Sequence, residues 1–175
     1  MTLPSLDARR ILEALERHGV DYVVIGGFAA FLHRTGVMTV DVDITPRREE
    51  ENLGRLAAAL VELGARLAPP DSEPIEIPLD EHTFDWGTTW TFVTEAGELD
   101  VALLPDGTQG YPDLVRDAER VTLRGGLEVP VASLEDVVRS KEAAGRPKDR
   151  AALPILRLAL ADQRRDTQRE RTNEP

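Results

Sequence analysis

The segment from Gly26 to Ile44, GGFAAFLHRTGVMTVDVDI, constrains this chain more than any other. An apolar run, Tyr22-Val23-Val24-Ile25, stops at two adjacent glycines. Residues without Cβ let a strand turn sharply into a helix and leave backbone N–H groups open at the helix start, where a phosphate can be received. Downstream, Asp41-Val42-Asp43-Ile44 reads as a strand. Side chains alternate with period two along a strand, so both carboxylates share one face. Two like charges so placed imply a cation.

The flanking chain supplies an alternation of helices and strands around that segment. Ser5 to His18 carries Ile11, Leu12 and Leu15 at helical spacing, with Ser5 as the expected N-cap and Gly19 as the stop. Asp21 to Ile25 is a buried strand, Phe28 to Leu32 a short helix, and Val40 to Ile44 a second strand ended by Pro46. Glu49, Glu50 and Glu51 open a helix running to about Leu63, where negative charge suits the helix dipole. Ala68 to Pro78 is rich in proline and acid and reads as a loop toward the sheet edge, with Ile75 and Ile77 open to a brief strand.

Thr88 to Thr94 alternates and pairs through Glu95-Ala96-Gly97 with the strand holding Asp100. A helix from Tyr111 to Ala118 precedes a second hairpin, Arg120 to Leu123 with Glu128 to Val131. Ser133-Leu134-Glu135-Asp136 opens a helix in the manner of a capping box, Gly145 closes it, and Pro147 opens the last helix. Pro154 should kink that helix or delay its start, and the polar residues beyond Ala161 should fray. These elements predict an α+β fold: a mixed sheet of about five strands flanked by helices, with a C-terminal helical segment. The expected division is a core over 1–132 and a helical extension over 133–175 packed on it, a single domain being the alternative.

Charge narrows the partners. The net charge of −11 repels a long phosphate backbone. The sign is uneven, because Arg139 to Arg171 is basic while the remainder is strongly acidic, and both lysines, Lys141 and Lys148, lie in the basic part. Cysteine is absent, which excludes disulfides, thiol catalysis and cysteine zinc sites. No apolar stretch reaches the roughly 20 residues that span a bilayer, and nothing resembles a signal peptide, so a cytoplasmic location without membrane contact is expected. His18, His33 and His82 lack metal-ligand spacing. Trp86 and Trp90 fit hairpin packing better than stacking on a base.

Gly-Gly, a short helix and Asp-x-Asp-hydrophobic together resemble the polymerase-β-type nucleotidyltransferases, in particular the small bacterial ones that include the abortive-infection (AbiEii-type) toxins. The resemblance implies a third carboxylate on a neighbouring strand, and Asp100 in Glu98-Leu99-Asp100-Val101-Ala102-Leu103-Leu104 fits it. It further implies that Asp41, Asp43 and Asp100 hold two Mg²⁺ or Mn²⁺ ions, and that Gly26, Gly27, Thr39, Lys141 and Lys148 bind a nucleoside triphosphate. Arg146 and Asp149 match its downstream basic and acidic motif. Relatives carry an arginine where Val37 stands, and Arg34 is the substitute this sequence offers.

The implied activity is Mg²⁺-dependent transfer of a nucleoside monophosphate to an acceptor hydroxyl. RNA such as a tRNA 3′ end, or a protein, would be the acceptor of a toxin paired with a basic antitoxin. Two alternatives stay open: transfer to a small aminoglycoside-like polycation, and a catalytically silent domain that binds a nucleotide or a partner.

Overall fold

The computed structural model describes residues 5–173, with side chains through 169. Helix α1 spans Ala8–Arg17 and buries Ile11, Leu12 and Leu15 completely. Its N-cap is Asp7 rather than Ser5, the Asp7 carboxylate accepting from the Arg10 amide at 3.1 Å. Strand β1 (Tyr22–Val24) runs directly into α2 (Gly26–Leu32), and β2 (Asp41–Pro46) returns beside it. Then come α3 (Glu50–Glu62), the short β3 (Arg66–Leu67), a single 3-10 turn over Glu81–Phe84, and the hairpin β4 (Thr89–Thr94) with β5 (Gly97–Ala102). The chain continues through α4 (Tyr111–Leu114), the hairpin β6 (Glu119–Thr122) with β7 (Glu128–Val131), α5 (Leu134–Ala144) and α6 (Pro147–Asn173).

The strands form one mixed sheet in the order β3-β4-β5-β2-β1-β7-β6. Among the described residues it has seven strands where about five were expected: both strands of the β6–β7 hairpin join the sheet through β1, and β3, too short to show a periodicity, adds an edge. Leu67 of β3 also forms a bridge with Ile75, so the proline-rich loop pairs briefly at the sheet edge. Helices α1 and α3 pack together and against the central strands. Val42, Ile44, Leu99 and Val101 point into that core and are fully buried. Trp90 joins them, its ring edge-on to Phe84 at 5.2 Å, whereas Trp86 is exposed.

Period-two alternation then turns Asp41, Asp43, Glu98 and Asp100 to the opposite face, where they keep partial exposure. Helix α5 packs on α2 and α6. Ser133 caps α5 through the Asp136 amide, and Gly145 ends it in left-handed backbone at φ 59°, which turns the chain into α6 with Pro147 as its first residue. Pro154 lies inside α6 without ending it, and the helix continues past Ala161. Salt bridges Asp162–Arg165 and Asp166–Arg169 line its exposed side, and Arg164 donates to Glu135 at 2.8 Å. Among the described residues no helix is long and apolar enough to cross a membrane.

Candidate active site

Parallel pairing of β2 with β5 places Asp43 opposite Asp100 and Asp41 opposite Glu98. Oxygens of Asp41, Asp43 and Asp100 all lie within 4.8 Å of one another. Each carboxylate is fixed by a neighbour. Thr39 Oγ1 donates to Asp41 Oδ1, the Gly27 amide donates to Asp43 Oδ2 at 3.0 Å, and Thr91 Oγ1 donates to Asp100 Oδ1 at 2.5 Å. The Gly-Gly turn is therefore not simply open to a phosphate, since the Gly27 N–H is committed to Asp43. Thr39, likewise, orients a carboxylate.

The electrostatics follow from crowding. Burial pushes the Asp43 carboxyl up to about 7, with Asp41 and Asp100 adding to the shift while the Phe28 and Gly27 amides oppose it. Burial also raises Asp100; Thr91 pulls it back, Asp41 pushes it up, and the charges of Lys148 and Arg146 lower it. Glu98 rises for the same reasons, first burial, then Asp100 and Asp41. This fourth acid was missed in the sequence, although Glu98-Leu99-Asp100 already shows the alternation that puts it on the site face.

The elbow between α5 and α6 brings positive charge to the carboxylates. Asp149 is fully buried and accepts from Lys141 Nζ at 3.1 Å and from Arg146 Nε at 2.6 Å. Burial alone would raise the Asp149 carboxyl, but the hydrogen bonds from Arg146 and Lys141 outweigh it and hold it low. Lys141, Arg146, Gly26, Asp43 and Asp100 line one cavity of about 200 Å³ between the sheet and α5. Lys148 is exposed, and its charge is felt by Asp100 and Glu98.

Arg34 is placed otherwise. It stands past the C-terminal end of α2, exposed and in left-handed backbone at φ 58°. The helix separates it from Gly26 by roughly 10 Å at 1.5 Å per residue. Val37 is half-buried against the core. His33 is structural, its ring bonded to the Ala132 carbonyl at 2.8 Å.

The donor set suits a hard divalent cation. Oxygens on opposite sides of an octahedral Mg²⁺ stand about 4.2 Å apart, twice the roughly 2.1 Å ligand distance, so carboxylates this close need only a small adjustment to share an ion. Asp43 is displaced toward neutrality first by burial and then by its two carboxylate neighbours, a balance that a bound cation would reverse.

The sheet order, the carboxylate face and the flanking helices define a nucleotidyltransferase fold. No protein-family model and no curated protein sequence matches the chain. Solved structures do. The lincosamide antibiotic adenylyltransferase LnuA, lincomycin-bound, is 16% identical, with 87% of this chain and 98% of that chain covered and a TM-score of 0.58. ANT(2″)-Ia in complex with adenylyl-2″-tobramycin is 17% identical, with 93% and 92% covered and a TM-score of 0.53.

Proposed function

We propose that this chain is a divalent-metal-dependent nucleotidyltransferase that moves a nucleoside monophosphate from a nucleoside triphosphate to a hydroxyl of a small molecule. The observation that carries the reading is the convergence of Asp41, Asp43 and Asp100 within 4.8 Å, with Asp43 and Asp100 lining a cavity that Lys141 and Arg146 also line. Asp41 and Asp43 would hold ions on the triphosphate, and Asp100 the ion facing the acceptor. Divalent cations such as Mg²⁺ or Mn²⁺ there supply charge neutralisation of the phosphate oxygens and a lowered pKa for the attacking hydroxyl.

The protein's own groups do the rest. Thr39, Gly27 and Thr91 fix the three carboxylates before substrate arrives. Asp149 aims Lys141 and Arg146 at the cavity, where they meet the triphosphate, and Lys148 adds charge at the rim. The acceptor oxygen attacks the α-phosphorus, the bond to the α–β bridging oxygen breaks, pyrophosphate leaves, and the hydroxyl proton passes to the Asp100 carboxylate and on to water. Residues 133–175, which carry all three cations, belong in this reading to the catalytic unit.

A small acceptor is favoured by the structural neighbours, one described as holding adenylyl-2″-tobramycin and the other as lincomycin-bound. The net charge of −11 opposes a polyanionic RNA acceptor. No feature of the site speaks for a protein acceptor, a toxin role or a basic antitoxin. A silent domain that only binds a nucleotide would have use for Asp41 and Asp43 on the triphosphate ions but none for a third carboxylate facing the acceptor. The test is incubation of purified protein with each α-labelled nucleoside triphosphate, Mg²⁺ and panels of small molecules, RNA and protein. Label should pass to a small acceptor and vanish in Asp43→Asn; transfer surviving that substitution rejects the assigned chemistry.

A further inference from the structure

A second and larger concavity opens on the same face of the sheet, beyond Glu98. It encloses about 810 Å³ between the β3–β4 edge and the loop over 68–79. That volume falls within the range of about 300–1,000 Å³ typical of sites for compact organic ligands. Glu98 belongs to its lining and also lies opposite Asp41 in register, two residues from Asp100. The concavity therefore begins about 7 Å along β5 from the Asp100 Cα.

Its chemistry is the reverse of the cavity beside Lys141. Glu73, Glu76 and Glu98 line it, and Arg66 is the one basic residue among the described lining residues. Glu73 and Glu76 are exposed and make no ion pair among the described residues. Ile77 and Val93 supply apolar wall. Prolines at 69, 70, 74 and 78 restrict the backbone of the loop, and the Leu67–Ile75 bridge pins it to the sheet, so the glutamates are held in place ahead of binding.

We propose that this groove seats the acceptor, and that the acceptor is a cationic, hydroxyl-bearing small molecule whose amines pair with Glu73, Glu76 and Glu98 while its hydroxyl reaches Asp100. The inference rests on the transfer reading above and gives it a direction: triphosphate enters from the basic side of the carboxylates, acceptor from the acidic side. Charge alternation across the triad keeps either substrate from occupying the other's place. The attacking oxygen is supplied from the groove, and pyrophosphate leaves on the Lys141 side.

The experiment is calorimetric titration of the protein with kanamycin, a polyamine sugar, and with maltotriose, an uncharged one, in the absence of nucleotide. It is repeated on the Glu73→Gln/Glu76→Gln double variant, whose thermal melt reports its folding. Kanamycin should bind, maltotriose should not, and the double variant should lose about tenfold in affinity, with a similar loss at high salt. Labelled AMP should then pass from ATP to kanamycin. Undiminished affinity in the double variant, absence of kanamycin binding, or label appearing on maltotriose or tRNA instead overturns the inference. A separate titration with Mg-ATP, compared with Asp43→Asn, tells the two readings apart. Mg-ATP bound with kanamycin ignored removes the groove inference alone, while kanamycin bound through Glu73 and Glu76 without Mg-ATP binding removes the transfer reading and reduces the groove to a site for a polycation that is not an acceptor.

Discussion

The Asp43 carboxylate occupies the space that a Cβ at Gly26 would need, since a methyl there would stand 2.5 Å from both Cγ and Oδ2 of Asp43. Gly26 also has φ 63°, a left-handed conformation that disfavours side chains. The glycine thus lets the first turn of α2 close over the carboxylate while the next amide bonds to it.

Gly26→Ala is expected to move Asp43 and cost catalysis more than stability. The backbone strain amounts to about 1–2 kcal/mol, whereas a metal ligand displaced by an ångström should lower kcat roughly a hundredfold. Gly126→Ala is the control: φ is 85° there and nothing lies within 4 Å of the added methyl, so strain acts alone. A melting curve and a rate on each variant separate the two effects. Equal rates in both would remove the close approach from the mechanism.

The raised Asp43 carboxyl links stability to pH and to metal. Its folded pKa, about 7, lies above its ordinary value, so the folded state binds more protons than the unfolded one between them. The contribution is fully present below about pH 4 and is lost as pH rises through about 7. Metal-free protein should therefore lose part of its stability across that window, and millimolar Mg²⁺ should raise Tm more at about pH 8 than at about pH 5, where protons compete for the ligands. In Asp43→Asn the metal-free protein should be more stable than the parent at about pH 8, and the response to Mg²⁺ should be largely gone. A Tm that ignores Mg²⁺ at both pH values would count against the shared-ion site.

Asp149 is fully buried and serves two cations at once. Asp149→Ala strands Lys141, which is only 13% exposed, while Arg146 at 59% can turn to solvent. With the Arg146 share discounted for screening, the expected loss is about 2–3 kcal/mol. Asp149→Asn keeps the shape and should fold closer to the parent, yet raise KM for the triphosphate because both cations lose their aim. Urea titration and steady-state kinetics check the two halves. An unchanged KM in Asp149→Asn would confine this residue to packing.

The central features of the site were legible because they depend on local geometry. Asp41 and Asp43 needed only the two-residue period, and Asp100 needed only a hairpin whose turn at Glu95-Ala96-Gly97 is plain. Lys141, Arg146 and Asp149 could be grouped from their motif, but their contact needed the Gly145 elbow to fold them together. Arg34 stands past the C-terminal end of α2, a placement that its sequence proximity to Asp41 could not reveal. Strand β3 was missed because Arg66–Leu67 borrows its structure from Val93 and Phe92 across the ladder. The acidic groove was illegible for the same reason: Glu73, Glu76 and Glu98 meet only when the loop pairs at Leu67 and Ile75.

Thr91 offers the sharpest probe of what holds Asp100 in its state. Its hydroxyl donates to Asp100 Oδ1 at 2.5 Å from the facing strand position, and this bond opposes the upward push of burial on the carboxyl. Thr91→Val keeps the β-branched shape and removes the donor, so the sheet should hold while the charged form of Asp100 loses its partner. One lost hydrogen bond to a charged group amounts to about 1.5–3 kcal/mol, which sets the expected fall in kcat/KM at roughly tenfold to a hundredfold near neutral pH. The pH profile distinguishes the cause. If Thr91 holds the carboxylate ionised, the acidic limb of the profile moves to higher pH in the variant and activity recovers as pH rises. An equal fall at every pH would mean that Thr91 only positions Asp100 and leaves its ionisation alone.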